Sequence, residues 1–143
     1  MGTHATVPRG TCPDHVHDHD EVCLVADGAC TIVHAGRARR AEPGTAFLFR
    51  AGEVHGYRND ERQAPVLWVV HYRRDAALDA AAPLLAELDP ERRVLHLDAA
   101  RQDAFRGAYL RLLAEHALGG DAAPVAASSW LRLLLIGVAR WSG

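Results

Sequence analysis

The chain has 143 residues, of which 49% are apolar and 24% charged, with 12 Gly and 7 Pro. That balance fits one globular domain with at most a small appendage, and excludes a disordered tail, a collagen-like chain and a disulfide-held miniprotein. A net charge of −2, from 16 basic residues (all Arg) against 18 acidic ones, leaves no electrostatic footprint for nucleic acid.

The first half reads as β. Short apolar or alternating runs recur at 21–26, 30–34, 46–49, 54–58 and 66–72, separated by turn signals such as Asp27-Gly28, Ala35-Gly36, Pro43-Gly44, Ala51-Gly52 and Asn59-Asp60. Many short strands with Gly-rich turns predict a small sandwich or barrel. From Asp75 the chain turns Ala- and Leu-rich, broken by Pro83 and Pro90, with a further strand expected over 94–97. A helix is predicted over 102–118, where Phe105, Tyr109, Leu112, Leu113 and His116 share one face before Gly119-Gly120 stops it. The next helix, with Asp121 as its expected cap and Pro124 in its first turn, runs to about Trp141. Its Leu131, Leu134, Leu135 and Val138 form one apolar stripe, and Trp130, Leu133 and Trp141 form a second beside it. One face suits the core; the other suits a second helix pair, because exposing large apolar side chains is unfavourable.

No stretch holds the roughly 18 uninterrupted apolar residues of a membrane span, and the N-terminus shows no basic-then-apolar export signal. Cys12, Cys23 and Cys30 are odd in number and irregularly spaced, which reads as reduced thiols and a cytoplasmic location.

Nine His in so short a chain are the compositional anomaly. In an extended strand, residues two apart share a face, so His15, His17 and Glu21 share parity as the β pattern begins. Two imidazoles and a carboxylate need one further ligand to hold a borderline divalent ion, and His55, in a Gly-rich turn-strand unit, is the candidate. Cys12, His15 and His17 form a rival, knot-like zinc set that lacks a second paired motif. His19, flanked by Asp18 and Asp20, reads as a solvated residue at the mouth. His34, His71, His96 and His116 read as ordinary strand or helix residues, and Arg37, Arg39 and Arg40 as a solvated edge. Tyr57 shares the parity of His55. Tyr57, Phe47 and Trp68 are candidates to line a pocket, with core packing as the alternative.

Residues 15–28 resemble the first cupin motif, H-x-H-x-x-x-E-x-x-x-x-x-x-G, through His15, His17, Glu21 and Gly28. Residues 44–59 resemble the second, G-x-x-x-x-x-P-x-G-x-x-H-x-x-x-N, through Gly44, Gly52, His55 and Asn59, with Arg50 where the motif has Pro. The glycine that should open the first motif is also displaced, Gly10 standing one residue too close. The resemblance implies a cupin (jelly-roll) barrel over residues 1–98, including a short irregular or helical segment at 75–90. It implies His15, His17, Glu21 and His55 as ligands of a divalent transition metal, with Zn, Ni, Fe and Mn not distinguished.

The H-x-H-D-x-x-E form of the first motif, the β half and the helical tail over 99–143 together resemble the N-terminal half of AraC-type transcription regulators. That resemblance implies an effector-sensing domain that binds a small molecule and forms a homodimer through helices 101–118 and 124–141. Ordering of the segment from Thr3 to Cys12 would be the response to the effector. DNA would be bound only by a C-terminal helix-turn-helix domain, which would begin where this chain stops, and no membrane is involved. The alternative is a free-standing metal-dependent cupin enzyme, a dioxygenase or isomerase. The helical tail, which a minimal enzyme does not need, argues against it.

Overall fold

The computed structural model describes residues 2–6, 12–59, 64–87 and 89–142, with side chains from residue 16 onward. Among the described residues, nine strands form two antiparallel sheets. They are β1 (Gly2–Thr6), β2 (Cys12–His15), β3 (Asp20–Asp27), β4 (Cys30–His34), β5 (Arg37–Ala41), β6 (Thr45–Phe49), β7 (His55–Asn59), β8 (Val66–Tyr72) and β9 (Val94–His96). One sheet has the order β1-β8-β3-β6-β9 and the other β2-β7-β4-β5. Helices α1 (Ala76–Ala81), α2 (Ala99–Leu118) and α3 (Ala123–Trp141) pack on the five-stranded sheet, and short 3-10 turns at Pro83–Ala86 and Pro90–Arg93 lie between α1 and β9.

This three-layer order explains why β3 reads as a continuous apolar run. A central strand covered on both faces has no solvent side to mark with polar residues. Its Cys23 and Val25 face the four-stranded sheet and pack with Cys30, Ile32, Phe47, Phe49, Leu67 and Val69. Its Val22 and Leu24 face the helices and pack with Val70, Phe105, Tyr109 and Leu135. Cys23 and Cys30 are free thiols buried between the sheets, where burial pushes both up, Cys30 to about 11.

Several boundaries differ from the sequence reading. Arg37, Arg39 and Arg40 do form a solvated edge, but one that is a strand, β5, paired to β4; charged side chains on such an edge oppose pairing with another chain. Helix α2 begins at Ala99 because the Asp98 side chain accepts from the Arg101 backbone N–H at 2.9 Å. Asp121 caps nothing: α3 starts after Ala122 with no side-chain cap, and Pro124 supplies the first-turn geometry. On α2, Phe105, Tyr109 and Leu112 are buried, whereas His116 at the far end of that face is exposed.

The stripe Leu131, Leu134, Leu135 and Val138 is buried as its spacing predicts. Each such side chain contributes about 1.5–3 kcal/mol by leaving water. Among the described residues, α3 is the one helix long and apolar enough to cross a membrane by length and composition. Its packing against sheet and α2 makes it a core helix. The second stripe stays outside. Leu133 is 59% exposed, and a groove of about 350 Å³ runs beside it between α2 and α3, with Ala104, Gly107 and Ala108 facing Trp130 and Trp141.

Candidate metal centre

The site forms at one end of the sandwich, where both motifs arrive together. β2 ends at His15 and β3 begins at Asp20, so His17 stands in the connecting segment and strand parity is not what aims it. Two hydrogen bonds lock this segment to the second motif: the Gly52 N–H donates to the His17 carbonyl at 2.9 Å, and the Ala51 N–H to Asp20 Oδ1 at 2.8 Å. The turn from Arg50 to Glu53 closes by the Glu53 N–H donating to the Arg50 carbonyl at 3.1 Å. Its third residue, Gly52, has φ +82°, a conformation that disfavours any side chain.

Glu21 is the hub. His17 Nε2 and His55 Nε2 each lie 3.1 Å from the same Glu21 Oε2, and the three residues' ligand atoms fall within 4.8 Å of one another. Glu21 is 7% exposed and His55 2%. The backbone of His15 pairs with that of His55 in the β2–β7 ladder; the His15 side chain, like that of Cys12 in the rival set, lies outside the described residues.

The hydrogen bonds behind the rings test whether this set fits a metal. A carbonyl can only accept, so His17 Nδ1 donates to the His19 carbonyl at 2.8 Å and His55 Nδ1 donates to the Glu53 carbonyl at 3.0 Å. In a neutral imidazole the other nitrogen is then a bare lone pair. Two such lone pairs therefore converge on one carboxylate oxygen, an arrangement that requires a positive charge among them. Backbone carbonyls that fix the Nδ1–H tautomer and present Nε2 are the usual support of metal-binding histidines. The residues fit a divalent ion.

Without an ion, protons meet the same need. Burial opposes charge on both partners. For Glu21, hydrogen bonds from His55 and His17 and the charges of His55 and His71 outweigh it and hold the carboxyl below its ordinary value. For His55, burial is outweighed by Glu21, together with the Glu53 carbonyl and carboxylate, and the imidazole is shifted up.

Two histidines that the sequence reading set aside belong to this end. β3 and β8 pair in the register Glu21 to His71, so His71 stands directly beside the carboxylate. His19, half-buried at the mouth, stacks on His17 with ring centroids 4.1 Å apart and lies 2.8 Å from His71 Nδ1 through its Nε2. Sequence parity could not place His71, because 67, 69 and 71 alternate with Trp68, Val70 and Tyr72 and both sets are largely apolar. Only the β3–β8 register decides.

Behind the site, Glu53 gathers a third set of residues, of which the sequence reading singles out neither Glu53 nor Arg93. Arg93, 1% exposed, donates to both of its carboxylate oxygens at 2.7 and 2.6 Å and to the Leu48 carbonyl at 3.0 Å. The Arg50 N–H donates to Glu53 Oε1 at 2.6 Å. Burial alone would raise the Glu53 carboxyl, but Arg93 and the Arg50 N–H bring it down to about 2. His34 Nε2 lies 3.2 Å from the same carboxylate, yet burial dominates and the imidazole is shifted down.

The pocket candidates separate. Phe47 is buried in the interior between the sheets, stacked near Phe49, which in turn stacks on His55 at 4.2 Å. Tyr57 is half-buried against the same interior. Trp68 faces the opposite way, stacked on Tyr109 of α2.

No curated protein matches the chain at a meaningful level. Among solved structures, the AraC-like transcriptional activator CuxR is similar over 88% of this chain and 42% of its own, at 17% identity and a TM-score of 0.57. KdgF from Halomonas sp. is 32% identical over 48% of this chain and 64% of its own (TM-score 0.41). The polyketide cyclase RemF from Streptomyces resistomycificus is 29% identical over 47% and 49% (TM-score 0.43). This chain thus spans less than two thirds of each. The fold is a cupin-like β-sandwich followed by two packed helices. The sequence profile of the AraC-like ligand binding domain matches residues 1–134, and the chain belongs to that family.

Proposed function

We infer that this chain is the effector-sensing and dimerisation part of an AraC-type transcription regulator, taking a small molecule beside a divalent metal in its cupin barrel. The observation that carries the reading is the convergence of His17, Glu21 and His55, with tautomers set so that both imidazoles offer Nε2 to the carboxylate. His15, placed by its backbone opposite His55, is the fourth proposed ligand. A metal held there would supply a Lewis-acidic anchor with open positions for an effector's oxygen or nitrogen donors.

The chain's own residues would then report occupancy. The His55 ring hangs on the Glu53 carbonyl, the Glu53 carboxylate is gripped by Arg93, and Arg93 leads directly into β9 and α2. A shift at His55 is thereby passed to the segment that carries the helices, limited by the effector's difference in affinity for the two states. Residues 1–98 form the sensing part in this reading and 99–143 the dimerising part. The exposed stripe containing Leu133 and the adjoining groove would meet a second copy. DNA reading would belong to another domain of the regulator, and the location expected is cytoplasmic.

The test is a small-molecule panel scored by thermal shift on metal-loaded protein, in wild type and in His17→Ala. An effector that binds the native state raises the melting temperature in a concentration-dependent way, and the shift should vanish in the variant. Catalytic turnover of a panel member, without saturable binding of any product or analogue, would favour the enzyme reading instead.

A further inference from the structure

We propose that His17, His19 and His71 form a second, outer metal position made only of imidazoles, alternative to the inner one and sharing His17 with it. This goes beyond the regulatory reading and does not rest on it. The ligating nitrogens of the three residues lie within 4.8 Å of one another, and all three side chains are half-buried at the mouth. The rings already have fixed places. His17 and His19 are parallel within 3°, and His71 stands at 87° and 85° to them with centroids 5.4 and 4.6 Å away.

The support behind His19 repeats the logic of the inner site. Its Nδ1 donates to Asp18 Oδ1 at 3.2 Å, and Asp18 is held by Arg73 at 3.1 Å. A carboxylate behind Nδ1 orients a histidine and strengthens its other nitrogen as a ligand. That other nitrogen, Nε2, is the one directed at His71. An ion at the outer position replaces this contact between the two rings and ties the segment before β3 to the end of β8.

Sharing His17 makes the two positions exclusive. Its Nδ1 is committed to the His19 carbonyl, which leaves one nitrogen to ligate one ion. The ligand sets differ in hardness. The inner set includes the Glu21 carboxylate, which accepts Mn²⁺ as well as softer ions; three imidazoles favour Cu²⁺, Ni²⁺ and Zn²⁺ and bind Mn²⁺ poorly. One ion would therefore sit inside or at the mouth according to its kind.

The experiment is equilibrium binding of Cu²⁺ and of Mn²⁺ to the full chain, with Cu²⁺ coordination read by electron paramagnetic resonance. In Glu21→Gln/His55→Ala, Mn²⁺ binding should be lost, while Cu²⁺ remains bound with nitrogen hyperfine structure. Adding His71→Ala should then weaken Cu²⁺ by more than the roughly 10–100-fold typical of losing a mere supporting residue. A folded double variant that binds no Cu²⁺, or binds it unaffected by His71→Ala, overturns the proposal. Should the double variant not fold, His71→Ala alone decides. Selective loss of Cu²⁺ affinity supports the outer position, and no loss, or equal loss of both ions, overturns it. If wild type binds Cu²⁺ through His71 and no Mn²⁺ at all, the inner site fails and the outer one stands.

Discussion

Arg93 closes on Glu53 with both terminal guanidinium nitrogens, at 2.7 and 2.6 Å, from a position 1% exposed to solvent. A buried guanidinium tolerates its surroundings only while paired. Among the described residues, Glu53→Ala leaves it the Leu48 carbonyl alone, so the variant should lose about 3–5 kcal/mol of stability, measured by urea denaturation. Glu53→Gln, which keeps a neutral side-chain acceptor facing the guanidinium, should be milder.

The same carboxylate sets an acid limit. Glu53 is held down to about 2 in the folded chain against 4.5 in its ordinary state. A depressed carboxyl contributes stability that is fully present above pH 4.5 and is lost as pH falls through about 2. The stability gap between wild type and Glu53→Gln should therefore be widest above pH 4.5 and narrow steadily below it. A gap that widens with acid would contradict this assignment.

Arg50 stands where the second motif has Pro, and the structure gives the departure a purpose. Its N–H donates to Glu53 Oε1 at 2.6 Å, which a proline could not do. Arg50→Pro, although it restores the motif, should destabilise by about 1.5–3 kcal/mol, the usual worth of a hydrogen bond to a charged group. Arg50→Ala keeps the N–H and should be nearly neutral.

Leu133 is 59% exposed on α3, beside a groove between the helices. If a second copy covers this stripe, Leu133→Asp should convert a dimer to a monomer by light scattering. It should also abolish any dependence of melting temperature on protein concentration, with little change in monomer stability. A dimer that survives the substitution places the contact elsewhere.

What the sequence revealed follows from how local each feature is. The stripe on α3 depends on spacing within one helix, and its burial matches. The two motifs carry their own turn glycines, with Gly28, Gly44 and Gly52 all at positive φ, so the ends of β3 and β7 were legible. His71 and Arg93 were not legible, because each is placed by a partner far along the chain: Glu21 across the β3–β8 ladder, and Glu53 from a turn 40 residues away. His19 lies at the mouth as its neighbours Asp18 and Asp20 suggest, but its contacts with His17 and His71 are not legible from those neighbours. Asp18 is a solvated charge, exposed and paired with exposed Arg73, but Asp20 is buried against Arg74 and the Ala51 N–H. The edge strand β5 was hidden by its arginines, which are there because it is an edge.

The most direct test of the central claim is the metal content of the purified, reconstituted chain compared with His17→Ala, the ligand common to both positions. Wild type should hold about one transition ion per chain by mass spectrometry, released on acidification as its imidazoles protonate, and the variant should hold essentially none while keeping its circular dichroism. A folded His17→Ala that retains its ion, or a wild type that takes up none under conditions where imidazole is neutral, would contradict the account.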